Sequence, residues 1–341
     1  MPNASFLFLS QEDVVAAGGL DMGPTIEAVE ESLRLLATGD AILPPKSSIR
    51  WSDAIDSEER EGRIMAMPAY VGGSFRVAGF KWIPSVPDNP SRGLPRGIGL
   101  IGLTDRDTGL PLAVMDGTVV SAMRTGAVTG VAARLLAATG SSVATILGAG
   151  VQAKTQLMAL EVSLALTEVR IWDVDPDRAR AFCEREARQD FSLVPVDDPR
   201  DACGDAAVVV AATLAREPYV LPGWLAPGST FVSISSLDPT VELIASADVL
   251  VCDSWEHETE FPSRAFARAL AAGVVDRDRV AELGELLVGS RPGRKGPLDR
   301  VFVSPVGLAV EDVAAAYRVY GRAAELGLGV RLDLWRSPVW T

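Results

Sequence analysis

Histidine is almost absent: His257 is the single one in 341 residues. Metal centres built on histidine need several such ligands, so a histidine metal cluster is excluded and no metal site is expected. Acid–base work then falls to aspartate or lysine, because His257 sits in WEHETE, which reads as a charged surface segment. Cysteine is scarce too. Cys183, Cys203 and Cys252 are odd in number, scattered and without CxxC spacing. They read as buried thiols of a reducing compartment, and the cytoplasm is the expected location. Long apolar runs are missing as well. No uncharged stretch of about eighteen apolar residues occurs, so no membrane span is expected. The opening residues, MPNASFLFLSQEDVV, lack a basic region and meet acids at once, unlike a signal peptide. Positive charge is in the minority, with 32 Lys and Arg against 45 Asp and Glu and a net charge of −13. Nucleic acid and anionic membranes are therefore excluded as partners, since neutralising phosphates requires clustered cations.

What is present is a large apolar fraction, 48 % of the residues, enough to build two ordinary domains. The stretch SVATILGAGVQAKTQL, Ser142 to Leu157, organises the chain. It reads as a buried strand, a glycine turn and a helix opening at Val151. Gly148, Gly150 and Ala153 fill the small positions of G-x-G-x-x-A. The first glycine makes the tight turn, the second lets a pyrophosphate approach the backbone, and the third small residue lets helix and strand pack closely. The helix N-terminus then offers free N–H groups to phosphates. The alternative reading of a lone glycine triplet is an ordinary strand–helix turn. The next strand, 168–172, ends in Asp173, placed to bond a ribose 2′-hydroxyl, and this favours a dinucleotide. A carboxylate there repels a 2′-phosphate, so NAD is expected over NADP, with Arg178 nearby as the contrary sign.

The periodicity predicts helices over 11–18, from Pro24 to a stop at Gly39, over 118–138, and over 307–326. Short β-rich runs at 47–52, 63–70, 75–83, 97–103 and 110–115, without helices between them, imply an antiparallel or mixed sheet. Strands at 143–147, 168–172, 191–196, 206–212, 230–235, 248–252 and 300–304 alternate with helices and imply a doubly wound parallel sheet. The expected fold class is α/β, a Rossmann sheet plus a discontinuous α+β domain. The last helix and a closing strand, 329–334, are expected to return to that first domain. The expected division is 1–125 with 306–341 for substrate binding and dimerisation, and 126–305 for NAD. The loop SRPGRKGPLD, 290–299, reads as a mobile lid or a solvated loop.

Four cations interrupt apolar segments: Arg50 in SSIRW, Lys81 in GFKWI, Arg96 in GLPRGIG and Arg124 in SAMRTG. Each either points to solvent or joins a pocket for a carboxylate-bearing amino acid, arginine gripping bidentately and lysine adding a point charge. Arg124 and the neighbouring Thr125 are also placed to reach cofactor phosphates. Asp238, in SISSLDP, is either a helix N-cap or an acid–base group beside a nicotinamide. Thr213 and the turn Ser304 to Gly307 follow other strands and either touch the cofactor or are plain connecting loops.

MDGTVVSAMRTGAVTGVAARLLA, followed by ILGAGVQAKTQLMAL, IWDVDP and VGLAVEDVAAAY, resembles the ornithine cyclodeaminase and mu-crystallin family across essentially the whole chain. That resemblance implies an NAD-dependent homodimer joined through the sheet of the non-dinucleotide domain. It gives Arg50, Lys81 and Arg124 to a substrate-carboxylate clamp. It gives Gly148, Gly150, Val151, Gln152, Ala153 and Asp173 to the dinucleotide, with Thr213, Ser236 and Gly307 beside it. Asp238, with Lys81, takes the catalytic place, although a shifted setting of SSLDPTVEL puts Ser236 there. Within the family, FLSQEDVVAAGG, GRIMAMPAYVGG, GFKWIPSVPDNPSRGLPR, FVSISSLD and VCDSW resemble the branch that oxidises an aminocarboxyethyl-glutamate to 2,3-diaminopropionate and 2-oxoglutarate. Met65 stands where cyclodeaminases carry a glutamate, which counts against ornithine cyclisation. Arg96 is an extra cation for an extra carboxylate. The rival readings are a cyclodeaminase for ornithine or lysine, a ketimine reductase or alanine dehydrogenase, and a non-catalytic ligand-binding protein like mu-crystallin.

Overall fold

Two textures of sequence produce two sheets. The computed structural model describes residues 4–51 and 62–340. The chain divides into a first unit, Met1–Arg124 with Leu308–Thr341, and a second, Thr125–Gly307. In order come β1 (Ala4–Leu9), α1 (Gln11–Val14), α2 (Met22–Ala37), β2 (Ala41–Ile42), β3 (Ser47–Trp51), β4 (Gly62–Val71), β5 (Val77–Ser85), β6 (Leu100–Asp105) and β7 (Pro111–Asp116). Then follow α3 (Gly117–Leu136), β8 (Val143–Leu147), α4 (Val151–Ser163), β9 (Glu168–Trp172), α5 (Pro176–Arg185), β10 (Ser192–Pro195), α6 (Pro199–Cys203), β11 (Val208–Ala211) and β12 (Thr230–Ser233). The rest are α7 (Val241–Ala245), β13 (Val249–Cys252), α8 (Trp255–Thr259), α9 (Ala265–Ala271), β14 (Val280–Glu282), α10 (Leu283–Leu287), β15 (Val301–Ser304), α11 (Ala309–Leu326) and β16 (Val330–Trp335). Residue 52 of the expected strand 47–52 lies outside the described residues.

The first unit holds a mixed sheet in the order β16-β1-β7-β6-β5-β4-β2, with β3 also paired to β4. The closing helix and strand do return to it. β1, not anticipated from the sequence, lies parallel to β7 and antiparallel to β16. Side chains alternate across the sheet. Leu9, Met67, Lys81, Ile101, Leu103 and Met115 point to one face and are buried. That face is covered by α11, which packs on β4, β5 and β6. Gly79 permits the close fit: a Cβ there would stand 2.7 Å from the Gly102 carbonyl and 3.1 Å from Val313. The opposite face carries Phe8, Phe80, Trp82, Leu100, Val330 and Leu332, all exposed in one chain.

The second unit holds an all-parallel sheet in the order β10-β9-β8-β11-β12-β15-β13-β14. The order reverses beside β8, whose neighbours β9 and β11 lead away in opposite directions; ligands sit at such a point in doubly wound sheets. The strands read as continuous apolar runs because both faces are buried. Val208, Val209 and Val210 are fully enclosed, and Phe302 stacks on Phe231 and meets Phe266 edge-on.

One expectation is overturned, and one pair of alternatives is narrowed to a solvated loop. His257 is not on the surface; it is 3 % exposed on α8, its Nδ1 3.1 Å from the Ser254 hydroxyl that caps the same helix. The charged letters of WEHETE misled because Glu258 turns inward with it. The loop 290–299 is not a free lid. Arg294 Nε donates to the Leu136 carbonyl at 2.7 Å and Nη2 to Thr230 Oγ1 at 3.0 Å. The Asp299 carboxylate accepts from the amides of Lys295 and Gly296 at 2.8 Å each.

Candidate functional site

In the second unit the turn after β8 has two glycines with different duties. Gly148 has φ +100°, and a Cβ there would stand 2.6 Å from the Ala212 carbonyl, so both conformation and space demand glycine. Its amide donates to the Trp172 carbonyl at 2.6 Å. Gly150 is the N-cap of α4 and no side chain caps that end. A Cβ on Gly150 would meet nothing within 4 Å. The space over the helix N-terminus is therefore open to a ligand, which is what a pyrophosphate needs. Ala153 is fully buried against the strand, Gln152 is half-buried, and Val151 is exposed at the rim. Gln156 Nε2 donates to the carbonyl of Thr125 at 3.5 Å.

Asp173, at the end of β9, is locked to this turn. Its Oδ2 accepts from the Ala149 amide at 2.8 Å and its Oδ1 from the Asp175 amide at 3.1 Å. A cleft of about 370 Å³ is lined by Gly148, Gly150, Asp173, Arg178, Thr213 and Tyr219. Arg178 thus shares the cleft with Asp173. The residues fit a dinucleotide: an open helix N-terminus for phosphates, a fixed carboxylate for a ribose, and aromatic walls from Trp172 and Tyr219.

Asp238 does not cap α7; Thr240 does, its hydroxyl accepting from the Leu243 amide at 3.3 Å. Asp238 is fully buried, its two oxygens accepting from the hydroxyls of Thr213 and Ser235. Burial raises its carboxyl above the ordinary range, and the two hydroxyl bonds oppose that. Ser236 turns elsewhere: Arg264 Nη1 donates to its hydroxyl at 2.9 Å and Arg268 Nη2 to its carbonyl at 2.8 Å. The turn after β15 is held by Asp253, which accepts from the amides of Val306 at 3.0 Å and Gly307 at 2.6 Å. Ser304 Oγ donates to Glu258 Oε1 at 2.6 Å, and burial pushes the Glu258 carboxyl up to about 7.

The first unit contains a buried charge cluster. Lys81 Nζ lies 2.7 Å from Asp312 Oδ2 and donates to Ser121 Oγ at 3.2 Å. Arg124 Nε donates to Asp312 Oδ1 at 2.9 Å and its Nη1 to Glu311 Oε2 at 3.2 Å. Glu311 and Asp312 are fully buried. Glu311 also accepts from the Leu308 amide at 3.1 Å, which ties its side chain to the start of α11. Burial, and then Arg124, lower the Lys81 pKa from 10.5 to about 8, while Asp312 opposes the shift. Of the four cations singled out in the sequence, the structure brings together Lys81 and Arg124. Arg50 is exposed; alternation puts it on the face of Lys81 but further along β4, opposite Arg63, whereas Lys81 is opposite Met67. Arg96 is exposed in the loop between β5 and β6, its carbonyl accepting from the Val86 amide at 2.9 Å. Asp312 and Glu311 were not anticipated as their partners. The signal was present: adjacent acids in an otherwise apolar helix need buried cations.

Residues 7–327 match the ornithine cyclodeaminase/mu-crystallin family. The chain belongs to that family. It is 31 % identical, over 98 % of its own length and 100 % of the other, to N-((2S)-2-amino-2-carboxyethyl)-L-glutamate dehydrogenase of Staphylococcus aureus. It is similar to Delta(1)-pyrroline-2-carboxylate reductase of Thermococcus litoralis, solved with NADH and L-proline, at TM-score 0.86 and 32 % identity, covering 95 % of this chain and 99 % of that one. An archaeal alanine dehydrogenase dimer with bound NAD is equally similar in fold, at TM-score 0.86 and 32 % identity, over 97 % of this chain and 100 % of the other.

The buried cluster yields two expectations. Asp312→Asn removes the carboxylate shared by two buried cations and is expected to destabilise the fold by about 3–5 kcal/mol, measured by denaturant unfolding. The second concerns pH. Lys81 is charged in both states below about pH 8, and between about 8 and its ordinary 10.5 the unfolded chain holds the extra proton. Its contribution to stability therefore rises across that window, by up to about 3 kcal/mol. Unfolding curves at pH 7.5 and 10 are expected to show this gain relative to Lys81→Met, and parallel pH profiles for the two proteins would contradict it.

Proposed function

We propose that this protein oxidatively cleaves N-((2S)-2-amino-2-carboxyethyl)-L-glutamate to L-2,3-diaminopropionate and 2-oxoglutarate, supplying a building block of siderophores or peptide antibiotics. The broader class is firm: an NAD-dependent oxidoreductase acting on a CH–NH bond. The observation that carries the finer reading is the likeness to the staphylococcal dehydrogenase over both full chains. Met65 in place of a cyclodeaminase glutamate supports it.

Bound NAD supplies the acceptor for the hydride of the glutamyl α-carbon. The chain's own residues do the rest. Gly148, Gly150 and the first turn of α4 seat the pyrophosphate, and Asp173 takes the ribose. Lys81 and Arg124, with Arg50 and Arg96, bind the substrate carboxylates; orientation of the α-carbon is their contribution to rate. Loss of hydride from carbon and of a proton from nitrogen makes the secondary amine an imine; water adds to it, and the carbon–nitrogen bond of the adduct breaks to leave 2-oxoglutarate and free diaminopropionate. Asp238 is the assigned proton acceptor, reached through the hydroxyl of Thr213, which lines the cleft.

A second reading, oxidation of a simple amino acid such as alanine, is favoured by the charge balance of the first-unit cluster, where Glu311 and Asp312 already face Lys81 and Arg124. Incubation with NAD⁺ and the aminocarboxyethyl-glutamate is expected to produce NADH, 2-oxoglutarate and diaminopropionate in equal amounts. NADH from alanine alone would replace the first reading by the second. Release of proline and ammonia from ornithine without net NADH would indicate a cyclodeaminase.

The bare apolar face of the first-unit sheet is assigned to a second copy of the chain. Phe80, Trp82 and Leu100 are neighbours there, on β5 and β6. Contiguous exposed apolar side chains of this kind are what protein–protein interfaces cover. Phe80→Asp with Trp82→Asp is expected to halve the mass measured by light scattering, and an unchanged mass would exclude this face.

A further inference from the structure

The loop after β12 is gripped by two arginines that do different jobs. Arg268 Nη2 donates to the carbonyls of Ser236 and Pro239, at 2.8 and 2.9 Å. It closes the loop with that one nitrogen. Arg264 sends Nη1 to the Ser236 hydroxyl at 2.9 Å. A guanidinium carries five N–H donors, and among the described residues Arg264 makes no other side-chain hydrogen bond, although the charge of Glu258 acts on it. Its backbone is extended, φ −71° and ψ 152°, because it caps α9 from outside. Its side chain is half-exposed, as is Ser236.

Position gives this pair its meaning. In a doubly wound sheet the ligand crosses the carboxyl ends of the strands on both sides of the reversal. The turn after β8 and Asp173 after β9 occupy one side. The loop after β12 occupies the other, where the reactive end of a dinucleotide lies. Glu258, whose charge acts on Arg264, is fully buried, bonded to Ser304 and not ion-paired with the guanidinium, and burial pushes its carboxyl up to about 7. Because Ser236 Oγ accepts from Arg264, its own proton is free to be donated. Arg N–H and Ser O–H groups side by side match the two oxygens of a carboxylate.

We infer that Arg264 and Ser236 form a carboxylate receptor at the carboxyl end of β12, which selects substrates bearing a side-chain carboxylate over simple amino acids. This rests on the oxidoreductase reading above and deepens it.

The test is binding of 2-oxoglutarate and of pyruvate, by calorimetry with NADH present, to the full chain and to Arg264→Gln, Arg264→Lys and Ser236→Ala. The unaltered protein is expected to bind 2-oxoglutarate at least tenfold more tightly than pyruvate. Arg264→Gln is expected to weaken 2-oxoglutarate 10- to 100-fold and leave pyruvate unchanged, with the same thermal midpoint. Arg264→Lys is expected to restore part of the loss, and Ser236→Ala to lose less than Arg264→Gln. Equal weakening of both ligands in Arg264→Gln, or no preference in the unaltered protein, overturns the assignment. Failure to turn over the aminocarboxyethyl-glutamate, with the 2-oxoglutarate preference present and abolished in Arg264→Gln, would sink the substrate proposed above while supporting this receptor.

Discussion

The first unit depends on one carboxylate, Asp312. It stands on α11 and holds Lys81 of β5 through one oxygen and Arg124 of α3 through the other, with all three side chains nearly withdrawn from water. Residues 81, 124 and 312 are far apart in sequence, so the cluster forms only when the last helix has returned to the sheet. Burying a cation costs several kcal/mol unless an anion and hydrogen bonds meet it. Asp312 supplies both to two cations at once, and Glu311 adds a second contact to Arg124. Lys81 shows what balance results. Its pKa lies at about 8, below its ordinary value, so desolvation and Arg124 together outweigh Asp312. The ammonium is held but strained, and an added ligand carboxylate would relieve it. A chain segment that appears to be mere closure of the fold is thus what keeps the cations of the first unit in place.

The second unit works by the opposite device, leaving polar groups without side-chain partners where a ligand belongs. Gly148 is fixed by the carbonyl of Ala212 behind it, whereas Gly150 faces open space. A single three-residue turn therefore contains one glycine required by the protein and one required by its guest. Asp173 is presented with the same economy. Two backbone amides orient its carboxylate, and each oxygen retains a lone pair for a ribose hydroxyl.

Much of this was legible in the sequence. Alternation of apolar runs with helices gave the parallel sheet, and consecutive short β runs gave the mixed one. The spacing from Gly148 to Asp173 gave the cradle, because that relation is local to one strand–helix–strand unit. What escaped was non-local. β1 is a strand because β7 and β16 flank it, and nothing within ASFLFL says so. His257 is buried because its helix folds inward beside Ser304, although its neighbours in sequence are charged. Asp238 read equally as a helix cap or an acid–base group from DPTVEL, and the fold removes the first by giving the cap to Thr240 two residues later.

The cations make the same point for function. Sequence marks Arg50, Lys81, Arg96 and Arg124 as unusual, but it cannot say which of them already have counter-charges. The fold matches Lys81 and Arg124 with two buried acids and leaves Arg50 and Arg96 at the surface. A cation neutralised by the protein positions a ligand; one left unneutralised attracts it. Arg264 went unnoticed because nothing local in FPSRAF ties it to a strand end. Its claim comes only from the strand end that the fold brings to it and from its bond to the Ser236 hydroxyl. Substrate choice in this fold therefore rests less on the number of cations than on which ones the protein has left without an acid.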